Sequence, residues 1–145
     1  MDEIADRAAD VSLEPPELRA TGYRNYARYR LTLTGDDVAD DIRVAYNGDT
    51  SFAYVADRAT GNIKASRTFN TNAVTQVNIN ALGGDDYVQY NLVAASVIHG
   101  GDGNDEVYGN EGPDQIFGDG GDDALYGKGG VDGGTGVSLG GGSPE

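Results

Sequence analysis

The chain has no cysteine in 145 residues, which excludes disulfides and thiolate metal sites and leaves the redox compartment unreadable. It has a single histidine, His99, with no cysteine or second histidine to join it, so zinc chemistry is not expected. His99 reads as an exposed bystander. Basic residues almost vanish from the second half: residues 1–68 hold 12 acids and 9 bases, whereas residues 69–145 hold 12 acids and one base, Lys128. A net charge of -14 concentrated in this way argues against nucleic acid and anionic membranes as partners, and for cations. No run of about 18 apolar residues exists, so no membrane span is expected. The first ten residues, MDEIADRAAD, lack the basic start and apolar run of a secretory signal, so an export signal lies elsewhere or export takes another route. There is no G-x-S-x-G and no phosphate loop. An enzyme is not expected.

Hydrophobic residues make up 38% of the chain, too little for a bulky core, whereas its 23 glycines are about twice the usual load. The glycines are ordered. From Gly100 to Thr135 the sequence divides into nines: GGDGNDEVY, GNEGPDQIF, GDGGDDALY and GKGGVDGGT. Glycine opens each nonamer and recurs at its fourth position. Asp105, Asp114, Asp123 and Asp132 fall at the sixth, and Val107, Ile116 and Leu125 at the eighth, where only the last repeat fails, with Gly134. A disordered acidic linker has no fixed period, so these in-frame hydrophobes argue for stacked repeats.

The residue types point to a hard cation. Glycine at the first and fourth positions allows backbone turns with positive φ and leaves carbonyl oxygens uncovered. Ca²⁺ takes six to eight oxygens, carboxylate and carbonyl alike. One aspartate per loop supplies part of a shell, so two stacked loops must share each ion. The apolar eighth position gives a short strand with one side chain directed into a thin core. Each nonamer is then half a coil, and loops on one edge lie two repeats apart. Asp105 should face Asp123 across one ion, and Asp114 should face Asp132 on the opposite edge.

At these residues the chain resembles the hemolysin-type calcium-binding repeats of the RTX family, secreted bacterial proteins whose parallel β-roll binds Ca²⁺ between turns. The resemblance implies an all-β, right-handed parallel β-roll or β-helix, a solenoid with Ca²⁺ between stacked turns. It also implies a secreted or cell-surface bacterial location. The candidate ligands, through carboxylate or carbonyl, are Gly100, Asp102, Asp105, Gly109, Glu111, Asp114, Gly118, Gly120, Asp123, Gly127, Gly129 and Asp132, with Asp86 upstream. Pro113 departs from the usual Asn or Asp before the acid, and Lys128 and Val131 make the fourth loop less acidic.

Upstream, Ile4, Ala5, Ala8 and Ala9 have helical spacing that Pro15 and Pro16 would stop by about Glu14. Ser12 to Ala20, SLEPPELRA, is similar to the LEP-x-E-x-R leader motif of planctomycete-type surface proteins. Tyr29, Leu31 and Leu33 alternate with Arg30, Thr32 and Thr34 as in a half-buried strand. That reading outweighs a nucleic-acid surface of interleaved Tyr and Arg. Gly35 to Arg43, GDDVADDIR, is a degenerate nonamer with Asp40 sixth and Ile42 eighth, a structural relative of the repeat more than a full metal loop. Two alternating runs, Ile42 to Tyr46 and Ser51 to Val55, flank the turn Asn47-Gly48-Asp49. Ile63 to Phe69 and Val74 to Ile79 follow as strands.

Leu82 to Tyr90 brings the motif back, with Asp86 in the acidic slot, Val88 in the apolar slot and Gly83 and Gly84 before them. Asn91 to His99 forms a plain turn, with Val97 near the expected apolar slot. Asp86 and Asp105 could therefore share an edge and a third ion. This arrangement of a GDD-x-I strand, an insertion, a V-x-V-x-I strand and GGDD-x-V ahead of full repeats extends the RTX resemblance over Leu31 to Thr135.

The expected organisation is a flexible lead-in at 1–22, irregular β or degenerate solenoid turns at 23–99, calcium-binding nonamers at 100–135 and a flexible tail at 136–145. No cap is recognisable after Thr135, so the chain is expected to continue within a larger parent protein. The expected function is calcium binding that drives folding. The alternative is a structural or adhesive segment of a larger surface protein in which calcium only stiffens a surface meant for a partner.

Overall fold

The computed structural model describes residues 9–14, 29–110, 112–127 and 133–135. Within them the chain is all-β. Its strands are β1 (Asp10–Glu14), β2 (Tyr29–Thr34), β3 (Asp40–Ala45), β4 (Thr50–Asp57), β5 (Ile63–Asn70), β6 (Val74–Asn80), β7 (Tyr87–Tyr90), β8 (Ala95–His99), β9 (Glu106–Tyr108), β10 (Asp114–Phe117), β11 (Ala124–Tyr126) and β12 (Gly133–Thr135). They form two six-stranded sheets, β1-β2-β6-β8-β10-β12 and β11-β9-β7-β3-β4-β5. From β6 onward successive strands alternate between the sheets. Each strand therefore pairs in parallel with the strand two places away in sequence.

The parallel registers carry the period. Val107 lies beside Leu125 and Ile116 beside Ile98, pairs two nonamers apart. Val88 lies beside Val107, and Ile42 beside Val88. These eighth-position side chains, with Leu31, Leu33, Val77, Ile79 and Tyr90, are almost wholly buried and form one core cluster between the sheets. Each contributes roughly 1.5–3 kcal/mol on leaving water. The short strands β9 and β11 bury only Val107 and Leu125 respectively, so something at the loops must complete the stack there.

The first turns differ. Strand β4 runs antiparallel to both β3 and β5, and β1 runs antiparallel to β2, so both sheets are mixed. The β4–β5 hairpin is inserted between β3 and β6, and the next turn still begins in register, with Leu31 beside Val77 and Leu33 beside Ile79. Gly48, at φ 74, makes the turn into β4. On the outer side of the β3 end, β4 and β5 extend one sheet and β1 extends the other.

Two expectations are corrected. Helical spacing up to about Glu14 gives way to strand from Asp10 onward, because Val11 and Leu13 alternate into the core; Ile4, Ala5 and Ala8 lie outside the described residues. In the plain turn the apolar slot is filled by Ile98, fully enclosed, and the neighbouring Val97 is only partly covered. Counted from Asn91, Ile98 is the eighth position, so even this loop-poor turn keeps the frame.

Candidate metal centre

The loops that lead into β3, β7, β9 and β11 stack along one edge, and each ends in an aspartate: Asp40, Asp86, Asp105 and Asp123. The carboxylates form a ladder. Asp86 Oδ1 accepts the Asp40 amide hydrogen at 2.7 Å, Asp105 Oδ1 accepts from Asp86 at 2.8 Å, and Asp123 Oδ1 accepts from Asp105 at 2.9 Å. All four side chains are buried, none more than 5% exposed. The second oxygen distinguishes them. Oδ2 of Asp86, Asp105 and Asp123 is buried with no hydrogen-bond partner.

A buried carboxylate oxygen without a donor is costly, and here three recur in one column. Burial, reinforced by the neighbouring carboxylates, pushes Asp86 up to about 8 and Asp105 up to about 7. Asp123 is raised as well, again chiefly by burial. At neutral pH the ladder must hold protons or receive a cation. Among the described residues no three acidic or histidine side chains converge on one point, so backbone carbonyls would have to complete a cation's shell.

The glycines make this edge possible in two ways. A methyl group on Gly100 would stand 2.5 Å from Asp105 Oδ2, and one on Gly118 would meet Asp123 Oδ2. The first-position glycine therefore clears room for the carboxylate of its own nonamer. It does not supply positive φ, contrary to the expectation. On this edge the positive-φ sites are the second and fourth positions: Gly101 and Gly103, then Asp119 and Gly121, with Leu82 and Gly84 in the preceding turn. Asp119, at φ 67, takes this conformation without being glycine. Its carboxylate lies 3.1 Å from His99 Nδ1, and the His99 ring stacks on Phe117. His99 is thus exposed but engaged.

A second ladder escaped the sequence reading. Asp85 Oδ1 accepts the Asn104 amide hydrogen at 2.8 Å, and Asn104 Oδ1 accepts from Asp122 at 2.9 Å. These are fifth-position residues, and their bonds run opposite in direction to the buried ladder. The visible signal was the recurrence of an Asp or Asn immediately before Asp86, Asp105 and Asp123; Asp40 follows Ala39 and has none. Third-position residues alternate Asp37, Gly83, Asp102, Gly120. Asp37 Oδ1 stands 3.3 Å from a methyl position on Gly83, and Asp102 Oδ1 stands 3.2 Å from one on Gly120. Each exposed acid thus lies over a glycine and not over another acid.

The opposite edge is built differently. Asp114 is buried, but its Oδ1 accepts from the Ser96 hydroxyl at 2.7 Å and its Oδ2 from the Asn110 amide at 3.0 Å. Gly109 again clears space, since a methyl group on it would stand 2.6 Å from Asp114 Oδ2 and 3.3 Å from the Gly127 carbonyl oxygen. Glu111, Gly129 and Asp132 lie outside the described residues.

Residues 99–134 match the family model of the RTX calcium-binding nonapeptide repeat, in four copies. The match covers about a quarter of the chain and takes in the loops that lead into β9, β10 and β11, not the earlier loops of Asp40 and Asp86. RTX nonapeptide repeats bind Ca²⁺, and the repeat is structural, not catalytic. No curated protein and no solved structure gave a match to the chain. The buried, partnerless oxygens and the cleared space at Gly100 and Gly118 fit a calcium ion. Its chemistry is that of a hard cation drawing carboxylate and carbonyl oxygens together.

Proposed function

We propose that this chain is a calcium-binding repeat domain that folds on binding Ca²⁺ into a right-handed parallel β-roll, in a secreted or cell-surface bacterial protein. The observation that carries the reading is the column of three buried, partnerless carboxylate oxygens at Asp86, Asp105 and Asp123. Charged and ion-free, that column opposes its own burial; with divalent cations between the turns it joins them. Binding to the folded state alone then stabilises it by mass action. Extracellular calcium modules work at about 10⁻⁴ to 10⁻³ M, a range that separates the outside of a cell from its cytosol. RTX repeats typically occur in secreted bacterial proteins, which supports the location.

The ligand set we assign to the edge of the buried ladder is Asp86, Asp105 and Asp123 with carbonyls of the glycine loops around them, including Gly100, Gly118 and Gly120. Asp102 is exposed above Gly120 and is positioned to add a carboxylate. The edge of Asp114, with Gly109, Gly127 and the partner residues Glu111, Gly129 and Asp132, is assigned the weaker site, because Ser96 and Asn110 already satisfy Asp114.

The test is far-UV circular dichroism in excess chelator, followed by titration with CaCl₂ to about 10 mM. Magnesium, with its stricter octahedral shell, is the control. A calcium-specific gain of β signal is expected. A β spectrum indifferent to chelator would replace calcium-driven folding with a metal-free scaffold.

A further inference from the structure

Asp40 stands at the head of the buried ladder, as buried as Asp86, Asp105 and Asp123. Unlike them, it has a partner on each oxygen. Its Oδ2 accepts the Asp36 amide hydrogen at 2.8 Å. Its Oδ1 accepts from the ammonium of Lys64 at 2.6 Å, and the same ammonium donates to Asp36 Oδ2 at 2.8 Å. In the later turns the corresponding oxygen, Oδ1, accepts an amide hydrogen from the turn before. Asp40 has no parallel turn before it, because its sheet continues into the antiparallel strands β4 and β5. Lys64 lies on β5, at the end of the inserted hairpin nearest Asp40.

We propose that Lys64 is a resident cation that caps the acidic ladder. It replaces both the missing amide donor and the external ion, so that the first turn closes without calcium and the calcium-dependent turns stack on it. Several features agree with this role. Lys64 is only 20% exposed at its side chain, and Asp36 24%, so the pair is shielded from bulk solvent and more consequential than a surface ion pair. The same hairpin sends Arg58 onto the next loop, where its Nη1 donates to the Asp85 carbonyl at 2.8 Å. Beyond Lys64 the only base in the sequence after Arg67 is Lys128. Protein cations therefore serve the first loops of this edge and give out where the glycine-rich repeats begin. The first loop also lacks a fourth-position glycine, having Val38 there, so it keeps an acid ladder but not the carbonyl-exposing turn.

The inference rests on reading the later loops as calcium sites, and one experiment separates the two. Amide hydrogen exchange is followed on the whole chain by NMR, in excess chelator and in saturating CaCl₂. In chelator the wild-type Asp36 amide should exchange roughly 10–100-fold more slowly than the Asp105 amide, because Lys64 holds the carboxylate of Asp40 that accepts from Asp36, whereas Asp123, which accepts from Asp105, has no protein cation. Lys64→Met should abolish that difference in chelator, and calcium should restore protection at Asp36, with one more ion bound in equilibrium dialysis. Lys64→Arg should keep the wild-type pattern. A Lys64→Met chain that stays protected in chelator would overturn the proposal, as would one that calcium cannot restore while the wild type responds. If the wild-type Asp105 amide ignores calcium, the calcium reading of the later loops fails instead, and the chelator comparison at Asp36 still decides the role of Lys64.

Discussion

Gly100 and Asp105 occupy one space: a methyl group on the glycine would lie 2.5 Å from the aspartate's Oδ2, and the glycine's backbone has no positive φ. The opening residue of the nonamer is small because the closing acid folds back over it. Gly100→Ala should therefore act on the metal site and not on turn geometry. Overpacking of this kind costs about 1–3 kcal/mol, so the calcium midpoint in a circular dichroism titration should rise roughly 5–150-fold. An unchanged midpoint would mean that the carboxylate moves aside without cost.

The orphaned oxygen of Asp105 predicts an effect that changes sign with calcium. Asp105→Asn keeps an acceptor for the Asp86 amide but removes the charge. In chelator the variant should be at least as stable as the wild type, because a buried carboxylate is no longer forced to ionise or take up a proton. In calcium it should be less stable, with a clearly raised midpoint. Asp123→Asn should behave likewise. Asp40→Asn should leave the calcium response nearly intact, since Lys64 serves that residue. Equal calcium effects at Asp40 and Asp105 would place the ions elsewhere.

The pH dependence follows from the same ladder. Asp86 and Asp105 are raised to about 8 and about 7, against about 3.9 in an unfolded chain. A raised carboxylate favours the folded state fully below the unfolded value, and that contribution is lost as pH climbs through the folded one. In chelator the melting temperature should thus fall between pH 4 and pH 8. In saturating calcium the order should reverse, because protons compete for the ligand oxygens. Calcium binding near pH 7 should also release protons, visible as buffer-dependent heats in calorimetry. A binding heat independent of buffer would contradict this.

The other edge should respond differently. Ser96→Ala removes the buried hydroxyl that donates to Asp114 Oδ1, and losing a hydrogen bond to a charged group at a buried site costs about 1–3 kcal/mol. The loss should appear with and without calcium, as a lower melting temperature. The calcium midpoint of the Asp86–Asp123 edge, read from amide exchange at Asp105, should move little. A variant stable in chelator but unresponsive at Asp105 would show that the two edges are coupled.

Much of this arrangement is legible in the sequence, for one physical reason. A stacked fold repeats the same environment at a fixed interval, so Ile42, Val88, Val107, Ile116 and Leu125 mark the core, and Asp86, Asp105 and Asp123 mark one edge. What the pattern hides depends on contacts between distant residues. Lys64 belongs to a hairpin, and nothing in its neighbours indicates that the hairpin folds back onto Asp40. Ser96 occupies an acid's slot and is recognisable only once Asp114 is seen beside it. The first-position glycine shows that something small is required, but the backbone alone could not distinguish a positive φ from a carboxylate overhead. The fifth-position ladder of Asp85, Asn104 and Asp122 was in plain frame, hidden behind the more conspicuous acid that follows each.

The β4–β5 hairpin leaves the stack after Ala45 and returns it at Val74 with Leu31 still beside Val77 and Ile42 still beside Val88. The architecture thus counts turns and not residues. A connection on that side is a place where chain can be spliced in without shifting anything downstream. A lengthened Asn47-Gly48-Asp49 tip, far from Lys64, could carry a foreign sequence while the acidic edge kept its spacing.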